Sequence, residues 1–145
     1  MSAENVELVR SLQPGPDTDL IALVTDDDLA RQWRETAESR FDPDVEIAFY
    51  FPGMAPVTYP ELIGLRAAWR DWLERWASYR VEIEDLIDAG DQVVVMHSDY
   101  ARPVPGAPEV ERRSAAVWKV RDGRVTRVDF YLQRAKALAS VGLAE

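Results

Sequence analysis

Cysteine is absent from the chain, and histidine occurs once, as His97. The first absence excludes disulfides and thiolate metal sites and removes any sign of an oxidising compartment. A single imidazole also leaves a zinc or iron centre short of its usual ligands. Basic runs are missing too: 17 Lys and Arg stand against 26 Asp and Glu, for a formal charge of -9. A surface this acidic repels phosphate backbones, which argues against nucleic acid as a partner. No apolar stretch approaches the ~20 residues needed to span a bilayer. Residues 1–12 show neither the basic start nor the apolar stretch of a secretory leader. The expectation is a soluble, cytoplasmic protein with no membrane partner. Gly-rich phosphate loops, Gly-x-Ser-x-Gly elbows and metal-ligand spacings are missing as well. We therefore expect no metal and no cofactor, and any chemistry must come from carboxylates, one imidazole, tyrosines and arginine.

What is present suffices for a core. The 145 residues are 47% hydrophobic and 10% aromatic, which fits a single domain spanning residues 1–145. Val6, Val9 and Leu12, with Leu8 beside them, form a first helical stripe with Ser2 as its candidate cap, and Pro14-Gly15-Pro16 stops it. A short apolar piece spans residues 20–24. Thr25 reads as the cap of a longer helix with Asp26, Asp27 and Asp28 in its first turn. That helix carries Leu29, Trp33, Ala37 and Phe41 on one face, with Arg31/Glu35 and Arg34/Glu38 spaced for pairing. Asp42-Pro43-Asp44 ends it, residues 45–51 read as a strand, and residues 52–60 as a loop. The strongest helix follows, with Leu65, Ala68, Trp69, Trp72, Leu73 and Trp76 on one face. Strands are expected at 80–87, 92–102, 109–120 and 125–133, punctuated by turns such as Asp122-Gly123, before a closing helix at 134–143. Helices followed by a strand meander imply an α+β fold with helices on one side of a bent antiparallel sheet.

Local stretches also carry a family resemblance. They are Ser2-Ala3-Glu4-Asn5-Val6-Glu7-Leu8-Val9-Arg10, the Ala-Gly-Asp-x-Val turn within residues 88–95, and residues 117–125. The last runs on to Tyr131, Arg134, Ala137-Leu138 and Gly142-Leu143. With the element order, these resemble the SnoaL-like branch of the nuclear transport factor 2-like superfamily. The resemblance implies a cone-shaped fold in which the curved antiparallel sheet wraps around the N-terminal helices and encloses a pocket. It also implies a homodimer. It leaves activity open, because the superfamily hosts isomerases, cyclases, hydratases, epoxide hydrolases and non-catalytic binders. One departure is the proline-broken segment 13–25, where relatives continue a helix.

Residues two apart on a strand share a face. His97 and Asp99 therefore point together, as do Arg112 and Ser114, and Asp129 and Tyr131. Limonene-epoxide-hydrolase-like members carry Arg-x-Asp on one strand and Asp on the last. By that resemblance Asp99 and Asp129 are the acid/base pair, His97 replaces the arginine, and Arg112 supplies the cation. Two carboxylates in one cavity cannot both ionise cheaply, so one donates a proton while the other accepts. Tyr131 and Ser114 are then expected to contact substrate. Tyr50-Phe51-Pro52 stands where ketosteroid-isomerase-like relatives place a carboxylate base, leaving Tyr50 only a hydrogen-bonding role. Trp33, Trp69 and Trp118 are expected to line the cavity. The residues equally admit a structural reading, in which Asp99 and Asp129 serve exposed strand faces or pair with Arg112. Alternation on the last strand even puts Val128, Phe130 and Leu132 inward, unless that face meets a second subunit or the helices. The expectation is a cofactor-independent hydrolase, cyclase or isomerase acting on a small apolar molecule, or a non-catalytic binding or dimerisation module of the same fold.

Overall fold

Side chains alternate across a strand, so a sheet that buries one face against helices must concentrate its apolar residues there. The computed structural model of the chain describes residues 2–143; the side chain of Ser2, the candidate first cap, lies outside the described part. Its helices are α1 (Ser2–Ser11), α2 (Leu20–Thr25), α3 (Asp27–Ala37), α4 (Glu61–Leu73) and α5 (Arg134–Ser140). Its strands are β1 (Phe41–Tyr50), β2 (Val57–Pro60), β3 (Ser78–Ala89), β4 (Gln92–Arg102), β5 (Val110–Arg121) and β6 (Arg124–Tyr131). The sheet runs β2-β1-β6-β5-β4-β3. Neighbours are antiparallel except β1 and β6, which are parallel. This is the cone-type α+β fold expected from the sequence. Register shifts at Phe41/Glu46, Ile83/Asp85 and Lys119/Val120 supply the extra residues that bend strands and curl the sheet.

The inner face buries Ile47, Phe49, Val81, Val95, Trp118 and Val128 against Val9, Leu12, Leu20, Val24, Leu65 and Trp72 of the helices. On the outer face α5 lays Ala137 and Leu138 over Val94, Ala115 and Val117. Each such large apolar side chain contributes on the order of 1.5–3 kcal/mol when fully buried. Among the described residues no helix is long and apolar enough to cross a membrane.

Several local expectations are corrected. Asp26, not Thr25, caps α3, its carboxylate accepting from the Asp28 and Leu29 amides at 2.9 and 3.1 Å. Thr25 closes α2, its hydroxyl donating to the Ile21 carbonyl at 2.6 Å. A carboxylate outcompetes a hydroxyl for two orphan helix amides. Pro43 lies inside β1, within that strand's register shift between Phe41 and Glu46, where the ladder is interrupted. The expected 52–60 loop contains β2, which pairs with β1. Trp76 falls beyond the end of α4. The Arg31–Glu35 pair forms at 3.7 Å, but Arg34 and Glu38 form no ion pair, although the Glu38 amide still donates to the Arg34 carbonyl in the last helical turn.

Gly64 fixes how closely α4 approaches β2. A Cβ there would lie 2.8 Å from the carbonyl carbon of Tyr59 and 2.9 Å from its oxygen, and backbone cannot yield as a flexible side chain can. Gly64→Ala should destabilise the protein by about 1–3 kcal/mol, despite alanine's better helix propensity. Urea unfolding measures this, and an unchanged midpoint would contradict the close approach.

Candidate functional site

Strand β4 turns Val93, Val95, His97, Asp99 and Ala101 toward the helices, which makes Asp99 a carboxylate on an apolar face. It is 3% exposed and His97 is 6% exposed. A buried carboxylate must be hydrogen-bonded to be tolerated. One Asp99 oxygen meets Nδ1 of His97, and the other accepts from the Tyr79 hydroxyl on β3. Tyr79 stands diagonally to Asp99, whose register partner is Val81. Burial first, and then the Asp99 charge, push the Tyr79 phenol far above its ordinary range, so it remains a protonated donor.

With Nδ1 committed to Asp99, the imidazole has Nε2 left for other work. His97 lines a cavity of about 670 Å³ between sheet and helices, while Asp99 stands behind it and is not part of the lining. The volume lies within the roughly 300–1,000 Å³ range of small-molecule sites. Trp33, Trp69, Trp118, Phe130, Leu65 and Val81 supply much of the wall. The Trp118 Nε1 is buried and has no acceptor among the described residues. A further clamp reaches His97 from the outer face. Arg134, 9% exposed, donates to the carbonyls of His97 and Ser114 at 3.0 and 3.4 Å and to Glu84 at 3.2 Å. His97 and Ser114 are register partners, so one guanidinium fixes both strands at that row. Glu84 sits at the β3 register shift, and the Ser98 hydroxyl and then Arg134 hold its carboxyl below the usual range.

The remaining sequence-derived candidates divide by face. Trp118 pairs with Val128 and Ala116 with Phe130, so Val128 and Phe130 point inward. Asp129 and Tyr131, paired with Val117 and Ala115, point outward. The expectation that Asp99 and Asp129 share one cavity is therefore corrected: the sheet lies between them. Asp129 instead accepts from Arg127 at 2.9 Å, and burial outweighs that cation to hold its carboxyl above the ordinary value. Tyr50 and Tyr131 also leave the cavity, stacking on the outer face with ring centroids 4.3 Å apart. Arg112 is the register partner of Asp99 but is exposed and forms no ion pair with it among the described residues. Tyr79 and His97 take the place intended for that cation. Ser114 faces inward opposite His97, fully buried, outside the cavity lining and with its Oγ unpartnered. Tyr79 and Arg134 were not anticipated as site residues. The first lay one residue before the expected strand, and the second acts through backbone carbonyls that sequence patterning does not display.

Residues 12–128 match the SnoaL-like domain. The chain belongs to the SnoaL-like family. No curated protein matches it. Among solved structures, this SnoaL-like chain is similar to a protein from Jannaschia sp. CCS1 assigned as a SnoaL-like polyketide cyclase. That pair has a TM-score of 0.63 at 19% identity, covering 89% of this chain and 85% of the other. It is also similar to TerC, crystallised with polyporic acid, at a TM-score of 0.61 and 20% identity over 88% and 89% of the two chains. A nuclear transport factor 2-like protein of unknown function from Burkholderia pseudomallei K96243 gives 0.63 at 17% identity over 96% and 98%. At these identities the likeness speaks for the fold.

Tyr79→Phe keeps the ring and removes the donor, leaving one Asp99 oxygen buried and unsatisfied. It should cost about 1–3 kcal/mol in chemical denaturation. A variant as stable as the parent would show that Asp99 does not depend on the Tyr79 hydroxyl.

Proposed function

We propose that this SnoaL-like protein is a cofactor-independent acid–base enzyme acting on a small apolar molecule, with His97 as the proton-transfer group. The observation that carries this reading is an imidazole oriented by a buried carboxylate and lining an otherwise apolar cavity. Asp99 holds the ring and stabilises the imidazolium that forms when Nε2 takes a proton. An apolar wall excludes water and strengthens that interaction. The likeness to a protein assigned as a polyketide cyclase, and to one crystallised with polyporic acid, supports an organic molecule as the occupant.

Within this reading, isomerisation or cyclisation is favoured over hydrolysis. Epoxide hydrolysis by the expected route needs Asp99 and Asp129 around one water, and of these two Asp99 alone lies on the inner face. One imidazole–carboxylate pair suits a proton taken from carbon beside a carbonyl. The electron pair left on that carbon becomes an enolate. The imidazolium then returns the proton to another carbon, or to the alkoxide formed when the enolate attacks an internal carbonyl.

The test is deuterium exchange at the acidic C–H of 2-tetralone and larger fused-ring ketones, followed by NMR in D2O. The protein should accelerate exchange, and His97→Gln or Asp99→Asn should each lower the rate by about 10²–10⁴-fold. Asp129→Asn should stay within about twofold of the parent. Exchange no faster than buffer, with the ketones bound, would favour the non-catalytic binder. A large loss in Asp129→Asn would restore the two-carboxylate reading.

A further inference from the structure

Exposure sorts the cavity lining by depth. His97, Ala116, Trp118 and Phe130 are buried and form the floor, whereas Gly15, Asp27, Asp28, Arg31, Arg34 and Ile63 are exposed and form the mouth. Arg66, half-buried, completes the charged rim. Two of its three guanidinium groups are already answered. Arg31 lies 3.3 Å from Asp28 and 3.7 Å from Glu35. Arg66 lies 2.8 Å from Asp27, and it also donates to the Val24 carbonyl at 2.8 Å. Arg34 has no carboxylate partner among the described residues, although Glu38 lies one helical turn away and its amide donates to the Arg34 carbonyl.

The mouth of this apolar cavity therefore carries one guanidinium that no described carboxylate pairs with, in a chain whose formal charge is -9. The overall charge repels organic anions, so a guanidinium without an ion-pair partner at the mouth would select where such an anion settles. A guanidinium also presents a planar fork that matches the two oxygens of a carboxylate or a related oxyanion. The same helix that places Arg34 at the rim places Trp33 in the wall beneath it, held edge-on against Phe41 at 6.1 Å.

We propose that the occupant of the cavity is an organic anion, with an apolar ring-bearing body against Trp33, Trp69 and Trp118 and an ionised acidic group held by Arg34 at the mouth. This names the ligand class of the site described above and rests on the reading of that cavity as the substrate site. The anionic end stays in the polar rim, and the apolar end, with its reacting C–H, reaches His97.

Two dyes that share an anilinonaphthalene body test it: 8-anilinonaphthalene-1-sulfonate, an anion, and N-phenyl-1-naphthylamine, which is neutral. Fluorescence titration of the parent protein should give an apparent Kd that rises with salt for the anion and stays flat for the neutral dye. Arg34→Gln should weaken the anion by about three- to tenfold and leave the neutral dye within about twofold. Arg34→Lys should recover most of the loss. The Arg34 side chain is exposed and forms no hydrogen bond or ion pair among the described residues, so these variants report on binding. Equal effects on both dyes, or no effect on either, would overturn the proposal and leave the His97 reading standing. Binding of neither dye would overturn it together with the cavity as a ligand site. Dye selectivity without ketone exchange would support this proposal while removing the catalytic one.

Discussion

A carboxylate turned toward the apolar side of a sheet must be answered by its neighbours or lose its charge, and the arrangement around Asp99 follows from that requirement. Its two oxygens are met by His97 on the same strand and Tyr79 on the next. The first contact uses Nδ1 and so decides which ring nitrogen is free. The second ties β3 to β4 in the register that places Val81 opposite Asp99. Arg134 then holds the backbone of the His97–Ser114 row from the far side of the sheet. The imidazole is thus fixed by hydrogen bonds from its own strand and by a backbone clamp beneath it, which is the kind of support that preorganises a reactive group.

Parity governs the rest. Because side chains alternate, the β5–β6 pairing that turns Val128 and Phe130 inward necessarily turns Asp129 and Tyr131 outward. A slip of one residue would exchange the two sets, at the cost of burying a charged face against the helices. Of the two expected carboxylates, the inner face therefore keeps Asp99 behind the His97 imidazole and loses Asp129. The outer face gathers Arg127, Asp129, Glu46 and the stacked Tyr50 and Tyr131 into a separate cluster.

Most of the architecture was legible because it rests on local signals. Turn signals on either side of β-branched and apolar runs located the four long strands, and the helical stripe around Trp69 and Trp72 located α4. Period two also placed His97 beside Asp99 without help from the fold. On the last strand the same rule was correct, whereas the inferred pairing of Asp99 with Asp129 set it aside. Tyr79 could not be read in advance, since its contact with Asp99 depends on the register between two strands. Arg134 was hidden for a similar reason: its acceptors are main-chain carbonyls across the sheet. Arg34 was misread as a helix-surface pair because i,i+4 spacing permits an ion pair without requiring one: the backbone from Arg34 to Glu38 is helical, yet their side chains form no pair.

The orientation of the His97 ring is the claim on which the chemistry depends, and it is open to direct measurement because the chain has no other histidine. Imidazole nitrogen NMR on the uniformly labelled protein resolves a single ring. The account predicts that Nδ1 carries a hydrogen directed at Asp99 and that, in the neutral ring, the lone pair is on Nε2. Loss of this pattern in Asp99→Asn would assign the cause. A neutral ring protonated at Nε2 instead, unchanged by Asp99→Asn, would contradict the account.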